Sequence, residues 1–237
     1  MMGQYLAMRK SLPADVILLY RLGDFYEMFF EDAREAAPIL GVALTQRAGV
    51  PMCGVPHHAL EGYLAKLIRA GRKAAVCDQM EDPASAKGSA GGKGIVRREV
   101  TRVVTPGTVT EENILDAGRN NYLAAIYKGR TWGLALLDLS TGEFTVEEVA
   151  GPEALRDQLR RVAPSECLVG AGQKDDPAVA SVLAGAGIAS VTEIEDWTFA
   201  FDAAYDLLVR HFAVHSLEGY GCEGHAALVC PAGALLR

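Results

Sequence analysis

The chain has 237 residues, half of them hydrophobic, with 23 basic against 30 acidic side chains and a net charge of −7. That composition is too apolar and too weakly charged for disorder, and the length suits one large domain or two ordinary ones. No run approaches the ~18 consecutive apolar residues of a membrane span, and the opening MMGQYLAMRK lacks the apolar core of a signal peptide. Five cysteines, an odd number without a CxxC pair, argue against a disulfide scaffold and suit reduced, cytosolic thiols.

In chain order, VILLYRL (16–22) is a continuous apolar run and predicts a buried strand. GDFYEMFFEDA (23–33) follows it. In extended chain Phe25, Glu27 and Phe29 share one face, while Tyr26, Met28 and Phe30 share the other. Leu60, Tyr63, Leu64, Leu67 and Ile68 form one helical stripe, with Gly71 as its stop. KAAVCDQM (73–80) predicts a strand, EDPASAKGSAGGKG (81–94) an exposed loop, and IVRREVTRVV (95–104) a strand with three Arg. Pro, Gly and Asn cluster at 106–120 and predict a boundary. NYLAAIY (121–127), WGLALLDL (132–139) and EFTVEEV (143–149), joined by short Gly-containing connections, predict an antiparallel meander. A helix opens at Gly151-Pro152 with Leu155, Leu159 and Val162 as its stripe. Strands at 166–170 and 188–194 flank a short helix at 177–184, and Phe201, Tyr205, Leu208, Val209 and Phe212 mark a last amphipathic helix. The second half thus has the element order of a ribonuclease H-like α/β domain, a warrant for fold and not for function.

Charge divides along the same boundary. Residues 1–113 carry 14 basic and 13 acidic side chains, whereas 114–237 carry 9 and 17. Within the first half, residues 66–102 hold 9 basic against 4 acidic side chains, a local excess that suits a polyanion or a solvated surface.

Catalytic signatures are sparse. The phosphate loop GxxxxGK[ST] is absent: Gly92-Lys93 lacks the upstream Gly and is followed by Gly94. His211, His215, Cys222 and His225 read better as helix-end residues than as a metal set. A ribonuclease H-like, metal-dependent nuclease would need several carboxylates; Asp138 at the end of LALLDL and nearby Glu143 are candidates, with Asp138 as a turn opener the competing reading. A protein-interaction module is a third class, fitting the acidic second half. The most informative feature is Phe25 next to Glu27 after a buried strand. A Phe can wedge between base pairs, and a carboxylate near DNA is costly unless it meets a specific donor.

The segments GDFYEMFFEDA (23–33), PMCGVPHHA (51–59), YLAKLIRAGRKAAVCDQMEDPASAKG (63–88), REVTRVVTPGT (98–108), LDLSTGEF (137–144) and the stretch 201–225 resemble, in order, the N-terminal part of the bacterial MutS mismatch-recognition family. The resemblance covers nearly the whole chain. It implies an α/β fold: a mixed-sheet mismatch-binding domain over 1–115, then a ribonuclease H-like connector over 116–237 without nuclease activity. Phe25 and Glu27 match the family's Phe-x-Glu reader, implying that Phe25 stacks on a mispaired or unpaired base and Glu27 hydrogen-bonds it. Lys87, Lys93, Arg97, Arg98 and Arg102 are candidate phosphate contacts on charge alone. The implied partners are mismatched duplex DNA, MutL through the connector, and a second subunit. The implied ATP and Mg²⁺ belong to an ATPase domain outside this chain, and the implied location is the cytoplasm, at the nucleoid. CPAGALLR (230–237) reads as a helix cut short, so the chain is expected to be a fragment. The sequence departs from the resemblance in the short Ala-Gly-Val connection between Arg47 and Pro51, and at Cys53 and Asp78.

Overall fold

The computed structural model describes residues 2–80, 97–111, 114–115 and 118–237. The chain divides into two compact units, Met1–Thr105 and Pro106–Arg237.

The first unit runs α1 (Met2–Lys10), β1 (Val16–Leu22), β2 (Phe25–Phe29), α2 (Phe30–Leu40), β3 (Thr45–Arg47), β4 (Val50–Pro56), α3 (Leu60–Arg69), β5 (Lys73–Gln79) and β6 (Arg98–Val104). Among the described residues these strands form one six-stranded sheet of order β3-β4-β2-β1-β5-β6. Every pairing is antiparallel except β1 with β5. One face packs Ile17, Leu19, Tyr26, Met28 and Val55 against Ala33, Ala37 and Leu40 of α2 and Leu64 and Leu67 of α3. The opposite face gathers Val16, Leu18, Tyr20, Phe29 and Cys77 under Tyr5 of α1. Burial on both faces is why VILLYRL is apolar without alternation. Tyr5 is fully buried, edge-on to Tyr20 and Phe29, and its hydroxyl donates to Asp32 at 3.2 Å. Asp32 also accepts from the Leu18 N–H and from Arg9; burial nevertheless pushes its carboxyl up from the ordinary value.

Phe30 does not share a face with Tyr26 and Met28. Its φ of 54° is left-handed, which ends β2 and turns the chain into α2, and its ring joins the Tyr5 side instead. The three-Arg strand begins at Arg98, and a register shift against Val76 and Cys77 interrupts it.

The second unit runs β7 (Tyr122–Lys128), β8 (Trp132–Asp138), β9 (Glu143–Val149), α4 (Pro152–Val162), β10 (Glu166–Gly170), α5 (Ala171–Lys174), α6 (Pro177–Ala186), β11 (Val191–Ile194), α7 (Phe201–Phe212) and α8 (Ala226–Leu235). The described strands form a sheet of order β11-β10-β7-β8-β9, with an antiparallel meander β7–β9 and parallel additions β10 and β11. The order of these elements along the chain is the ribonuclease H-like one that the sequence predicts, with α5 and α8 added. Leu155 and Leu159 of α4 and Val179 and Val182 of α6 cover one face. Cys230, Ala234 and Leu235 of α8 cover the other, with α7 packed on α8 through Ala204 and Leu208.

Candidate nucleic-acid interface

The β1–β2 hairpin turns at Gly23-Asp24, with Gly23 at a φ of 60° and Leu22 opposite Phe25. On its other side Phe25 faces Pro56, and the His57 N–H donates to the Asp24 carbonyl at 2.9 Å, bracing the tip. Along one face of β2 the exposure falls from 48% at Phe25 through 9% at Glu27 to zero at Phe29. Tyr5 of α1 roofs the Phe29 end, whereas the Phe25 end is open. One strand therefore presents the same residue type as a core ring and, four positions earlier, as a half-exposed one.

Glu27 is held by a residue the sequence reading passed over. Arg47 Nη1 donates to Oε1 of Glu27 at 2.6 Å and to Oε2 as well. The Glu27 side chain is 11% exposed and that of Arg47 45%. The placement follows from registers. Ala48 and Gly49 both have positive φ, 51° and 78°, giving the two-residue turn that suits a right-twisted hairpin, and Arg47 lies opposite Val50. Val50, Met52 and Gly54 alternate onto one face of β4, and Gly54 lies opposite Glu27. A Cβ at Gly54 would sit 3.5 Å from the Glu27 Cγ, an ordinary contact, so the Glu27 side chain lies directly beside the Gly54 backbone. The short Ala-Gly-Val connection was the available signal, because a two-residue turn fixes which residues face the same way.

The other cations are scattered. Lys87 and Lys93 lie outside the described residues. Arg97 pairs with Glu99 at the surface. Arg98 donates to the Arg21 carbonyl at 2.8 Å and lies 5.1 Å from the Tyr20 ring centroid, on the α1 side. Arg102 pairs with Glu61 of α3 at 2.9 Å, on the opposite face of the sheet. The register shift separates these two Arg, so Arg98 and Arg102 do not line one surface.

In the second unit Asp138 is fully buried and accepts from the Ser140 N–H at 2.9 Å, the Ser140 hydroxyl at 2.6 Å and the Asn121 N–H at 3.1 Å. Burial pushes its carboxyl up, but these donors outweigh burial and hold it below the ordinary carboxylate value. Glu143 faces Asp138 across the strands yet bonds outward to Asn120 and Tyr122. Glu166, unremarked in the sequence, is 1% exposed and accepts from the Gly107 N–H at 3.0 Å and from the Thr192 hydroxyl. His225 lies 3.8 Å from Glu148, and Cys222 is buried. Among the described residues no three His, Cys, Asp or Glu side chains are grouped to hold a metal ion, and no helix is long and apolar enough to cross a membrane.

Comparison with known proteins also finds two domains, the first running past the end of the first compact unit at Thr105 on to residue 113. The family model described as MutS domain I matches residues 1–113, and that described as MutS domain II matches residues 121–237. The DNA mismatch repair protein MutS of Syntrophobacter fumaroxidans is 47% identical over 244 residues, covering all of this chain and 26% of that protein. Those of Myxococcus xanthus and Symbiobacterium thermophilum are 46% and 45% identical, again over the whole chain and 26% and 27% of the relatives. The chain spans about a quarter of the length of the curated relatives it matches. With both halves matched by consecutive domains of one family, the chain belongs to the MutS family and carries its domains I and II.

Proposed function

We propose that this chain is the mismatch-reading part of a DNA mismatch repair protein, with Phe25 and Glu27 as the residues that meet the mispaired base. The supporting observation is the half-exposed Phe25 ring at the open end of an otherwise covered sheet face, one alternate position from Glu27. A ring so placed can enter a base step from the minor groove without unpacking the core. A mispaired or unpaired base costs less to unstack and kink than a Watson–Crick pair, so insertion selects mismatches energetically. Glu27 then offers a carboxylate oxygen to the donor edge of the displaced base. The second unit acts in this reading as a connector that meets MutL, and the whole protein works as a dimer in the cytoplasm. ATP and Mg²⁺ are assigned to parts of the relatives beyond the matched quarter; no group of this chain is assigned to hold them.

The test is Phe25→Ala, with the chain installed in place of the matching quarter of the Syntrophobacter fumaroxidans relative. The ratio of mismatched to paired duplex affinity should fall to about one, with the melting temperature of the 237-residue chain nearly unchanged. An unchanged ratio, or a large loss of melting temperature, would sink the reading.

A further inference from the structure

Resting on that reading of Phe25 and Glu27, we infer that Arg47 sets the discrimination of the site: it masks the Glu27 carboxylate on DNA-free protein and yields it only to a mispaired base. A carboxylate at 11% exposure needs a partner, and Arg47 engages both of its oxygens. That partner differs from the backbone donors that usually satisfy buried acids. Arg47 reaches in from the rim hairpin, across β4, and its own side chain is 45% exposed. It can therefore swing away without unfolding anything. A guanidinium carries five N–H donors and can hold a phosphate once it leaves the carboxylate.

The pair acts differently on the two kinds of duplex. Over a paired duplex the Watson–Crick edges are occupied and no base is displaced toward Glu27, so Glu27 stays on Arg47, and the approaching phosphates meet a neutral pair instead of a bare negative charge. Over a mispair, a base N–H released from its partner takes one Glu27 oxygen, and Arg47 transfers to the adjacent backbone. The exchange trades the Arg47 contacts to the two Glu27 oxygens for a base N–H on Glu27 and a phosphate on Arg47, and is open only where a base donor exists.

Removal of Arg47 should therefore weaken paired DNA more than mismatched DNA. In the same full-length setting, Arg47→Gln should lower affinity for a paired duplex about fivefold, the worth of one exposed ion pair near ~1 kcal/mol, and affinity for the mismatch by less. The mismatch-to-paired ratio rises. Arg47→Lys keeps the charge but not the planar donor set, so on both duplexes it should fall between Arg47→Gln and the unmodified protein, with the ratio moved in the same direction as by Arg47→Gln but less. In a Glu27→Gln background there is no charge to mask, so adding Arg47→Gln should lower both affinities equally and leave the ratio where Glu27→Gln put it. If Arg47→Gln lowers both duplexes equally in the unmodified background, Arg47 is a plain phosphate contact and the inference fails. If the ratio moves by the same factor in both backgrounds, Arg47 acts without Glu27, and the inference fails. Phe25→Ala, run alongside, separates the two claims: an unchanged ratio there removes the reader itself, whereas a lost ratio with a flat Arg47 cycle removes only the mask.

Discussion

The two units each bury a carboxylate at a strand position, and they treat it in opposite ways. In the second unit Asp138 is closed by donors built into the sheet: the Ser140 N–H and hydroxyl of the turn it opens and the Asn121 N–H beside the adjacent strand. That turn follows β8, and Asn121 leads into the neighbouring strand β7, so these donors stay in place for as long as the sheet exists. In the first unit Glu27 is closed by one long side chain from a hairpin 20 residues away in sequence. Such a partner can leave while the fold stays. A carboxylate held by backbone donors is structure; one held by a half-exposed cation can be exchanged. That difference, more than burial, separates the acid assigned to DNA from the acid that a nuclease reading would have used.

The comparison can be attacked first within the first unit, where the largest effect is expected. Phe25 and Phe29 lie on one face of β2 but at opposite ends of the burial gradient. Phe29→Ala removes a fully buried ring packed edge-on against Tyr5 and should cost ~3–5 kcal/mol in urea unfolding of the chain. Phe25→Ala should cost under ~1 kcal/mol, because about half of that ring is already in water. Comparable losses would mean that the Phe25 end of the face is core and not offered to a ligand.

The next effect belongs to the second unit. Asp138→Asn must present an amide to donors that all need an acceptor, and should cost ~1–2 kcal/mol at neutral pH. The sign of its pH dependence follows from the direction of the shift. Asp138 ionises more readily folded than unfolded, so its contribution is fully present above the ordinary carboxylate value of ~3.9 and is lost as the pH falls through its lower folded value. Urea melts of the chain and of Asp138→Asn should therefore converge as the pH drops below about 4. A gap that stays constant into strong acid would show that the charge of Asp138 is not what the turn donors hold.

Most of the second unit was legible because its signals are local. The meander at 121–149 announces itself by alternation and short turns, and Leu155 and Leu159 mark a helix that the structure places on the sheet. The first unit was legible at β1, α3 and β5 for the same reason. What escaped was long-range. α1 has no apolar stripe, yet its Tyr5 anchors a whole face. α2 starts straight from β2 through the left-handed Phe30, a conformation that an aromatic residue seldom adopts and that no neighbour in sequence foretells. Glu166 stands buried at a strand start because the Gly107 N–H, 59 residues earlier, needs an acceptor. Arg47 was invisible as a partner for Glu27 because the contact depends on two registers in succession, β3 on β4 and β4 on β2. The Phe25–Glu27 pair itself was readable, since alternation on one strand is local; its neutralising cation was not.

The smallest change, and the most discriminating, is Glu27→Gln. Its effect on stability should be slight, under ~1 kcal/mol, because Gln keeps a carbonyl for the Arg47 Nη1 and replaces an ion pair whose cation is about half solvated. Its effect on DNA should be larger and directional. The substitution removes a negative charge and leaves Arg47 without its counter-charge, so the site becomes more positive by one unit toward any duplex. Affinity for perfectly paired DNA should rise, and because an unmasked cation meets one more phosphate, the dependence of log affinity on log salt should steepen by about one ion. Over the mismatched duplex Arg47 already holds the backbone, so that duplex gains no further phosphate contact and exchanges a charged acceptor for the base donor for a neutral one; its gain is smaller and the mismatch-to-paired ratio shrinks. Both duplexes measured across a salt series separate the two causes. If paired affinity rises without a steeper salt slope, the gain comes from relieved repulsion alone and Arg47 is not released. If the ratio stays fixed, Glu27 does not read the base at all, and its pairing with Arg47 is only a way to bury an acid at the edge of a sheet.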